Sequence, residues 1–291
     1  MRIASNKLSD LYEFYKSELS SIYDSGELYA IFELVCEKFL GYSKSQVKSN
    51  FQEKINQSDL INIYNTGKEL QKGIPVQYVL KEAFFYGLTF RVSPATLIPR
   101  PETEELVDLM IRELKKSALP KFQILDIGTG SGCIPVTLKK YLPEAAVTAI
   151  DVSEEALQIA KSNAIKHDTD IDFVLADILS TDICHLQTFN VIVSNPPYVL
   201  NSEATQMEER VVNHEPHLAL FVEDNDPIIF YKRIVDLCTS CLESRGLLFF
   251  ELNPMYAQPV KNYADAGNFF IFTEILNDMS GKQRFLKAQK K

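Results

Sequence analysis

Beyond about residue 100 the sequence predicts an α/β protein with a parallel sheet covered by helices on both faces. Before that point it predicts a small helical domain. Three observations carry this reading. Apolar residues in the first 80 positions recur at helical spacing. After residue 100, short apolar runs alternate with amphipathic stretches, the order that builds βαβ units. A glycine-rich segment follows the first of these strands and opens the next helix, which is where open α/β sheets bind ligands.

In chain order, Leu8, Leu11, Tyr12, Tyr15 and Leu19 mark a first helix. Leu28, Ile31, Phe32, Val35 and Phe39 mark a second, ended by Gly41 as a C-cap. A third is predicted from Ser58, as N-cap, to Lys72, where Gly73 and Pro75 stop it. Residues 84–92 (FFYGLTFRV) are aromatic with Gly87 at their centre and read as a hairpin. The expected organisation is therefore a helical domain over 1–80, a β-hairpin linker over 81–100 and an α/β domain over 101–291. Helix 101–116 opens on Pro101 with acidic residues in its first turn. Strands are expected at 122–127, 146–151, 172–177, 189–194, 247–252, 269–276 and 283–287. Between them lie helices at 133–142, at 153–166 capped by Ser153, at 227–242 capped by Asp226, and a weaker one ending at Ala266.

Composition narrows the function. Of 291 residues, 46% are apolar and 24% charged, an ordinary globular balance that excludes a disordered or fibrous chain. The formal net charge is −9, which argues against a protein whose main task is gripping a phosphate backbone. Residues 1–80 hold nine Lys and Arg against ten Asp and Glu, so nearly all of that charge lies in the α/β part. No apolar run approaches the roughly 20 residues of a membrane helix, and no secretory leader pattern is present, so a cytoplasmic protein is expected. Five cysteines form no disulfide framework. Cys238 and Cys241 lie in an amphipathic helical pattern with no further ligands near them in sequence, and read as core thiols rather than zinc ligands.

The segment Asp126-Ile-Gly-Thr-Gly-Ser-Gly132 is the first chemical signal. Glycines let the backbone approach a ligand, and the amides of the helix N-terminus point at it. The spacing is G-x-G-x-G, not the G-x-G-x-x-G of dinucleotide sites, and no lysine follows as in a P-loop. Such a loop suits a nucleoside better than a pyrophosphate. Asp151 ends the second strand and can accept from both hydroxyls of a ribose. Asp177 ends the third strand and, with Ile178, can border an adenine ring. Asp126 ends the first strand beside the glycines.

Asn195-Pro196-Pro197-Tyr198 at the end of the fourth strand is the second signal. Two prolines remove two backbone donors and stiffen the turn, leaving carbonyls and one side-chain amide on display. The Asn195 side-chain oxygen and the Pro196 carbonyl can each accept one N–H of a planar NH₂ group. That holds a weakly nucleophilic nitrogen in place and stabilises the positive charge it gains on attacking a methyl group. Tyr198 offers a face for stacking. No strong general base is needed, because the proton can leave after transfer. The motif specifies a planar NH₂ but not which one.

The glycine pattern with its strand-end acids resembles the seven-stranded, class I (Rossmann-like) S-adenosylmethionine-dependent methyltransferases. This implies a doubly wound sheet with one antiparallel strand, supplied by 283–287. The N-P-P-Y motif resembles enzymes acting on adenine in DNA, guanine in ribosomal RNA or glutamine in proteins. Further segments are similar to the HemK-like (PrmC) protein-(glutamine-N5) methyltransferases. They are FFYGLTFRV followed by Ile98-Pro-Arg-Pro-Glu-Thr-Glu-Glu-Leu-Val107, Pro75-Val-Gln-Tyr-Val-Leu80, His214-Glu-Pro-His-Leu-Ala-Leu220 and Asp278-Met-Ser-Gly-Lys-Gln-Arg-Phe285. The resemblance spans nearly the whole chain and is weakest over residues 1–70.

That resemblance implies methylation of the glutamine in the Gly-Gly-Gln motif of peptide-chain release factors, with S-adenosyl-L-homocysteine as by-product. It implies that Asp126, Gly128, Thr129, Gly130, Ser131, Gly132, Asp151, Asp177, Ile178 and Asn195 hold the cofactor. Asn195, Pro196, Pro197 and Tyr198 would hold the glutamine, Leu97 to Arg100 would line the site, and the N-terminal helices would recognise the release factor. The chain departs from the family at Val222-Glu-Asp-Asn-Asp226, where relatives often have a glycine-rich turn, and at Ile178, often aromatic in relatives.

Residues 201–226 hold seven Asp and Glu and one Arg. An acidic loop beside the substrate repels a phosphate backbone, so no direct nucleic-acid binding is expected. His214 and His217 read as loop packing, since no third metal ligand is near in sequence. The alternatives are a nucleic-acid amino methyltransferase on the same fold, which would want a basic face, and a non-catalytic adapter. The intact Gly128, Gly130, Gly132, Asp151 and Asn195 argue against the adapter.

Overall fold

The computed structural model describes residues 5–117, 121–183 and 187–291. Its contacts separate two compact units, Met1–Lys81 and Glu82–Lys291.

The first unit is helical: α1 (Leu8–Leu19), α2 (Ser25–Leu40), α3 (Lys44–Ser49), α4 (Gln57–Leu70) and α5 (Val76–Leu80). The apolar stripes expected on α1 and α2 meet in one core that includes Leu11, Tyr15, Phe32, Val35 and Ile63. Gly41 ends α2 in the left-handed conformation at φ 67°, as read from the sequence. α3 was not expected, although its signal is present: Ser43 and Gln46 form a capping box. The cap of α4 is Asn56, whose side chain accepts from the Asp59 N–H, rather than Ser58.

In the second unit, β1 (Glu82–Phe85) and β2 (Leu88–Arg91) form the expected hairpin. Its two-residue turn needs positive φ at both positions, and Tyr86 and Gly87 supply 50° and 75°. Phe85 and Phe90 join the unit's core, so the segment expected as a linker packs onto the α/β body. α6 (Pro101–Lys116) follows, with Pro101 in its first turn. Then come β3 (Gln123–Ile127), α7 (Cys133–Tyr141), β4 (Ala146–Asp151), α8 (Glu154–Lys166), β5 (Asp172–Leu175) and β6 (Phe189–Ser194). Ser153 caps α8 by accepting from the Ala156 N–H at 3.1 Å.

Residues 199–222 fold into short pieces that carry no clear periodicity in sequence. They are β7 (Val199–Leu200), a 3₁₀ stretch (Asn201–Gln206), α9 (Glu209–His214), α10 (His217–Leu220) and β8 (Phe221–Val222), which pairs in parallel with β7. α11 (Ile229–Cys241), β9 (Leu242–Glu251), α12 (Ala257–Ala266), β10 (Phe270–Asn277) and β11 (Gln283–Lys290) complete the chain. Asp226 does not cap α11, which begins at Ile229 without a side-chain cap. Its carboxylate is held by Lys232 instead, at 2.8 and 2.9 Å.

The main sheet has seven strands in the order β10-β11-β9-β6-β3-β4-β5. β9, β6, β3, β4 and β5 run parallel, and β11 is antiparallel to both β9 and β10. This is the doubly wound sheet with a late antiparallel strand that the sequence predicts. Strand order reverses between β3 and β6, so the carboxyl ends of these two strands flank the position where such folds place a ligand.

Cys238 and Cys241 are both buried on α11. Cys238 is a free thiol as read, whereas Cys241 is disulfide-bonded, which corrects its reading as a thiol. Among the described residues no helix is long and apolar enough to cross a membrane, and no group of three or more metal-ligating side chains is gathered.

Candidate active site

A cavity of about 510 Å³ opens over the carboxyl ends of β3, β4 and β6. Leu97 and Arg100 line it, together with Gly128 to Ser131, Asp151, Asp177 and Ile178. Asn195, Pro196 and Pro197 complete the wall. The two motifs, some 65 residues apart in sequence, therefore face one volume because β3 and β6 are paired neighbours. The Ser194 hydroxyl donates to the Ile127 carbonyl at 2.7 Å and ties the two strand ends together.

The glycine loop is shaped by backbone conformations that L side chains rarely adopt: Gly128, Gly130 and Gly132 have φ of 77°, 55° and 78°. Gly132 has a second constraint. A Cβ there would lie 3.0 Å from the Ala160 Cβ on α8, so any side chain would force that helix to give way by a few tenths of an ångström. At Gly128 and Gly130 a Cβ would meet nothing within 4 Å, so these positions present bare backbone to open space. The Gly130 N–H donates to one Asp151 oxygen at 2.8 Å and the Ser153 N–H to the other at 2.9 Å. Burial raises the Asp151 carboxyl, and these amides oppose that shift by stabilising the charge. Each oxygen keeps lone pairs for another donor.

Asp126 sits in β3 one residue before the cavity wall and is fully buried. Neither of its carboxyl oxygens, nor the Thr129 or Ser131 hydroxyl, meets a hydrogen-bond partner. Burial pushes Asp126 up to about 7; the neighbouring Thr129 hydroxyl, short of a full hydrogen bond, opposes this, and the Asp151 charge adds to it. An orphaned polar cluster beneath a loop is costly unless something completes it.

Asp177 lies two residues past β5. Its oxygens accept from the Leu179 N–H and the Ser180 hydroxyl, both at 2.9 Å, so it also shapes the turn that carries Ile178. The Asn195 side-chain nitrogen donates to the Thr103 hydroxyl at 3.2 Å. Tyr198 packs against the core on the α11 side of the sheet, outside the cavity lining, and its hydroxyl donates to Glu251 at 3.3 Å. Burial raises its phenol, and the Glu251 charge adds to that. His217 contacts the Val212 carbonyl at 2.9 Å and packs edge-on against Phe221.

Sequence reasoning passed over three residues. Glu251 ends β9 and is 1% exposed; a carboxylate at a strand end is the same signal that drew attention to Asp126 and Asp151. Thr103 sits inside the quoted P-E-T-E segment and is 3% exposed. Glu215, within the H-E-P-H segment, is 4% exposed and accepts from Arg100 at 2.6 Å.

The model of the methyltransferase small domain family matches residues 104–218. The chain is 43% identical over 271 residues to the release factor glutamine methyltransferase of Flavobacterium psychrophilum, covering 93% of this chain and 94% of that one. It is 41% identical over 280 residues to that of Bacteroides thetaiotaomicron, covering 95% and 98%. Among solved structures, a methyltransferase from Pyrococcus furiosus superposes with a TM-score of 0.51 at 18% identity over 70% of this chain and 90% of that chain, a likeness of fold. At this identity over almost its full length, the chain belongs to the release factor glutamine methyltransferase family.

Proposed function

We propose that this protein transfers a methyl group from S-adenosyl-L-methionine to the side-chain amide nitrogen of the Gly-Gly-Gln glutamine in peptide-chain release factors. The observation that carries this is convergence. A loop suited to a nucleoside-bearing donor and a rigid pair of acceptors suited to a planar NH₂ line one cavity.

The donor fits the residues present. Bare backbone at Gly128 and Gly130 leaves room for it, and the unpartnered Thr129 and Ser131 of the lining, with Asp126 buried one residue before it, offer polar groups toward an amino-acid end. Asp151 would accept from the ribose hydroxyls, and Asp177 and Ile178 would border the adenine. When bound, the cofactor supplies an electrophilic methyl group on a sulfonium.

The chain's own residues do the rest. Asn195 Oδ1 and the Pro196 carbonyl each accept one N–H of the glutamine amide, which fixes its position. As the nitrogen loses its delocalised lone pair to the new bond, it becomes positive, and the same two acceptors stabilise that charge. Pro197 keeps the turn rigid, Tyr198 buttresses it from the core side, and Leu97 and Arg100 wall off the site. The helical unit reads the body of the release factor.

Methylation of a nucleic-acid amine is the less favoured reading, since the acidic 201–226 segment repels a phosphate backbone. The test incubates the protein with labelled S-adenosylmethionine and a release factor, beside a Gln→Ala variant of its Gly-Gly-Gln loop. Label on the wild-type factor alone is expected. No label, with cofactor binding demonstrated, overturns the substrate.

A further inference from the structure

Two buried polar side chains form a chain behind the proposed acceptor. The Thr103 hydroxyl donates to the Glu251 carboxylate at 2.7 Å. The Asn195 side-chain nitrogen donates to that same hydroxyl at 3.2 Å. Thr103 and Glu251 are 3% and 1% exposed, so the bond between them is shielded from water, while the Asn195–Thr103 bond is part-buried at the cavity lining. The Glu251 carboxylate is held in turn by the Tyr198 hydroxyl, and the Glu251 backbone carbonyl by the Tyr231 hydroxyl at 3.0 Å.

We propose that Glu251 and Thr103 are positioning residues that fix which end of the Asn195 carboxamide faces the substrate, an inference that rests on the amide-methylation reading above. Counting donors gives the orientation. A carboxylate can only accept. Thr103 has one hydroxyl proton, and that proton goes to Glu251. Toward Asn195 the hydroxyl can then only accept, so the NH₂ end of the carboxamide must face Thr103. Its oxygen is left for the cavity, where the glutamine N–H must be received.

Asn195 does not carry this information by itself. The oxygen and NH₂ ends of a carboxamide have nearly the same shape, so sterics alone barely distinguish the two orientations. In the flipped state the NH₂ would face the substrate NH₂, donor against donor. It would also place a partial positive charge beside a nitrogen that is becoming positive. The relay therefore acts on the transition state far more than on cofactor binding.

The test uses the full-length protein with Thr103→Val, which removes the hydroxyl at nearly constant volume, Thr103→Ser, which keeps it, and Glu251→Gln, which can present either polarity to Thr103. At saturating cofactor and release factor, kcat of Thr103→Val is expected to fall about 10- to 100-fold, the scale on which misplacing an acceptor acts. Glu251→Gln should lose severalfold, and Thr103→Ser should stay within about threefold, because each keeps a hydroxyl or an acceptor in place. S-adenosylhomocysteine affinity, measured by calorimetry, should be unchanged in all three and reports that each is folded. Wild-type kcat in Thr103→Val and Glu251→Gln overturns the proposal, as does a loss in Thr103→Val that appears only in cofactor affinity. If Thr103→Val does not fold, Glu251→Gln decides in the same way. A wild-type protein that labels no release factor overturns the underlying reaction instead.

Discussion

Arg100 and Glu215, 115 positions apart in sequence, meet in an ion pair of 2.6 Å, and the other Glu215 oxygen accepts from the Ile98 N–H at 3.2 Å. One buried carboxylate thus pins the segment entering α6 to the segment following the N-P-P-Y turn, both of which line the cavity. The pair is asymmetric: the Glu215 side chain is 1% exposed and that of Arg100 32%. Arg100→Ala leaves a buried charge with one backbone partner and should cost about 3 kcal/mol, near the lower end for breaking a buried pair. Glu215→Gln keeps an acceptor and should cost about 1 kcal/mol. Urea unfolding followed by circular dichroism measures both. Equal costs would mean that the Arg100 charge adds nothing to Glu215 beyond a neutral hydrogen bond.

Asp151 and Asn195 line one cavity and should separate binding from chemistry. Asp151→Ala removes the acceptor that holds the Gly130 and Ser153 amides as well as the proposed ribose partner. Its S-adenosylhomocysteine Kd is expected to rise at least about tenfold, the loss of one or two charge-assisted hydrogen bonds, with kcat at saturation little changed. Asn195→Ala should show the reverse, with kcat lower by about 100-fold as for removal of one preorganised group, and Kd nearly constant. Calorimetry and single-turnover labelling read the two quantities. The opposite pattern would exchange the assigned roles.

The helical unit has its own core around Tyr15, Phe32 and Ile63, and the sheet unit has separate cores on the two faces of its sheet. A chain beginning at Glu82 should therefore keep its cofactor site. If the helices read the release factor, the KM for that protein rises at least about tenfold while S-adenosylhomocysteine affinity holds, a loss of uniform binding energy. An unchanged KM removes the recognition role.

What was legible in the sequence is what local chemistry dictates. Gly41 and Ser153 cap helices where their conformational freedom and side-chain oxygen say they should. The glycine loop and the N-P-P-Y turn are contiguous motifs, and their meeting follows once β3 and β6 are neighbours. Asp226 misled because a lysine one helical turn into α11 competes for its carboxylate. β9 begins five residues earlier than its apolar run because Leu242 pairs with Phe189 of β6 across a register shift, within which Arg245 takes φ 65°. The relay was invisible for a different reason. Thr103 lies 92 positions from Asn195 and 148 from Glu251, and no periodicity links them. Only the strand-end position of Glu251 hinted at a role.

Glu251 also sets a pH dependence with two opposite signs. Burial pushes its carboxyl from an ordinary 4.5 up to about 7, opposed by the Thr103 hydroxyl, the Arg284 charge on β11 and the Tyr198 hydroxyl, with the Glu102 charge on α6 adding to the rise. Tyr231 on α11 and Cys133 on α7 also face it, and both stay neutral because burial raises them. Below pH 7 the protonated group can donate to Thr103, which frees the hydroxyl proton to turn toward Asn195 and undoes the orientation. At saturating cofactor, kcat should rise along a one-proton limb between roughly pH 6 and 8, spanning that value evenly. The limb should be absent in Glu251→Gln. Stability runs the other way. A carboxyl raised in the folded state binds its proton more tightly there than in the unfolded chain, so its contribution is complete below 4.5 and is lost as pH rises to 7. Asp126, raised to about 7 by the same burial, adds a slope of the same sign. Glu251→Gln should therefore gain on the wild type by a few kcal/mol above pH 7, since each tenfold difference in proton affinity between the folded and unfolded chain is worth about 1.4 kcal/mol, and by little below pH 4.5. Thermal unfolding across pH, compared between the two proteins, isolates this group. A limb that persists in Glu251→Gln would assign the activity profile to another residue.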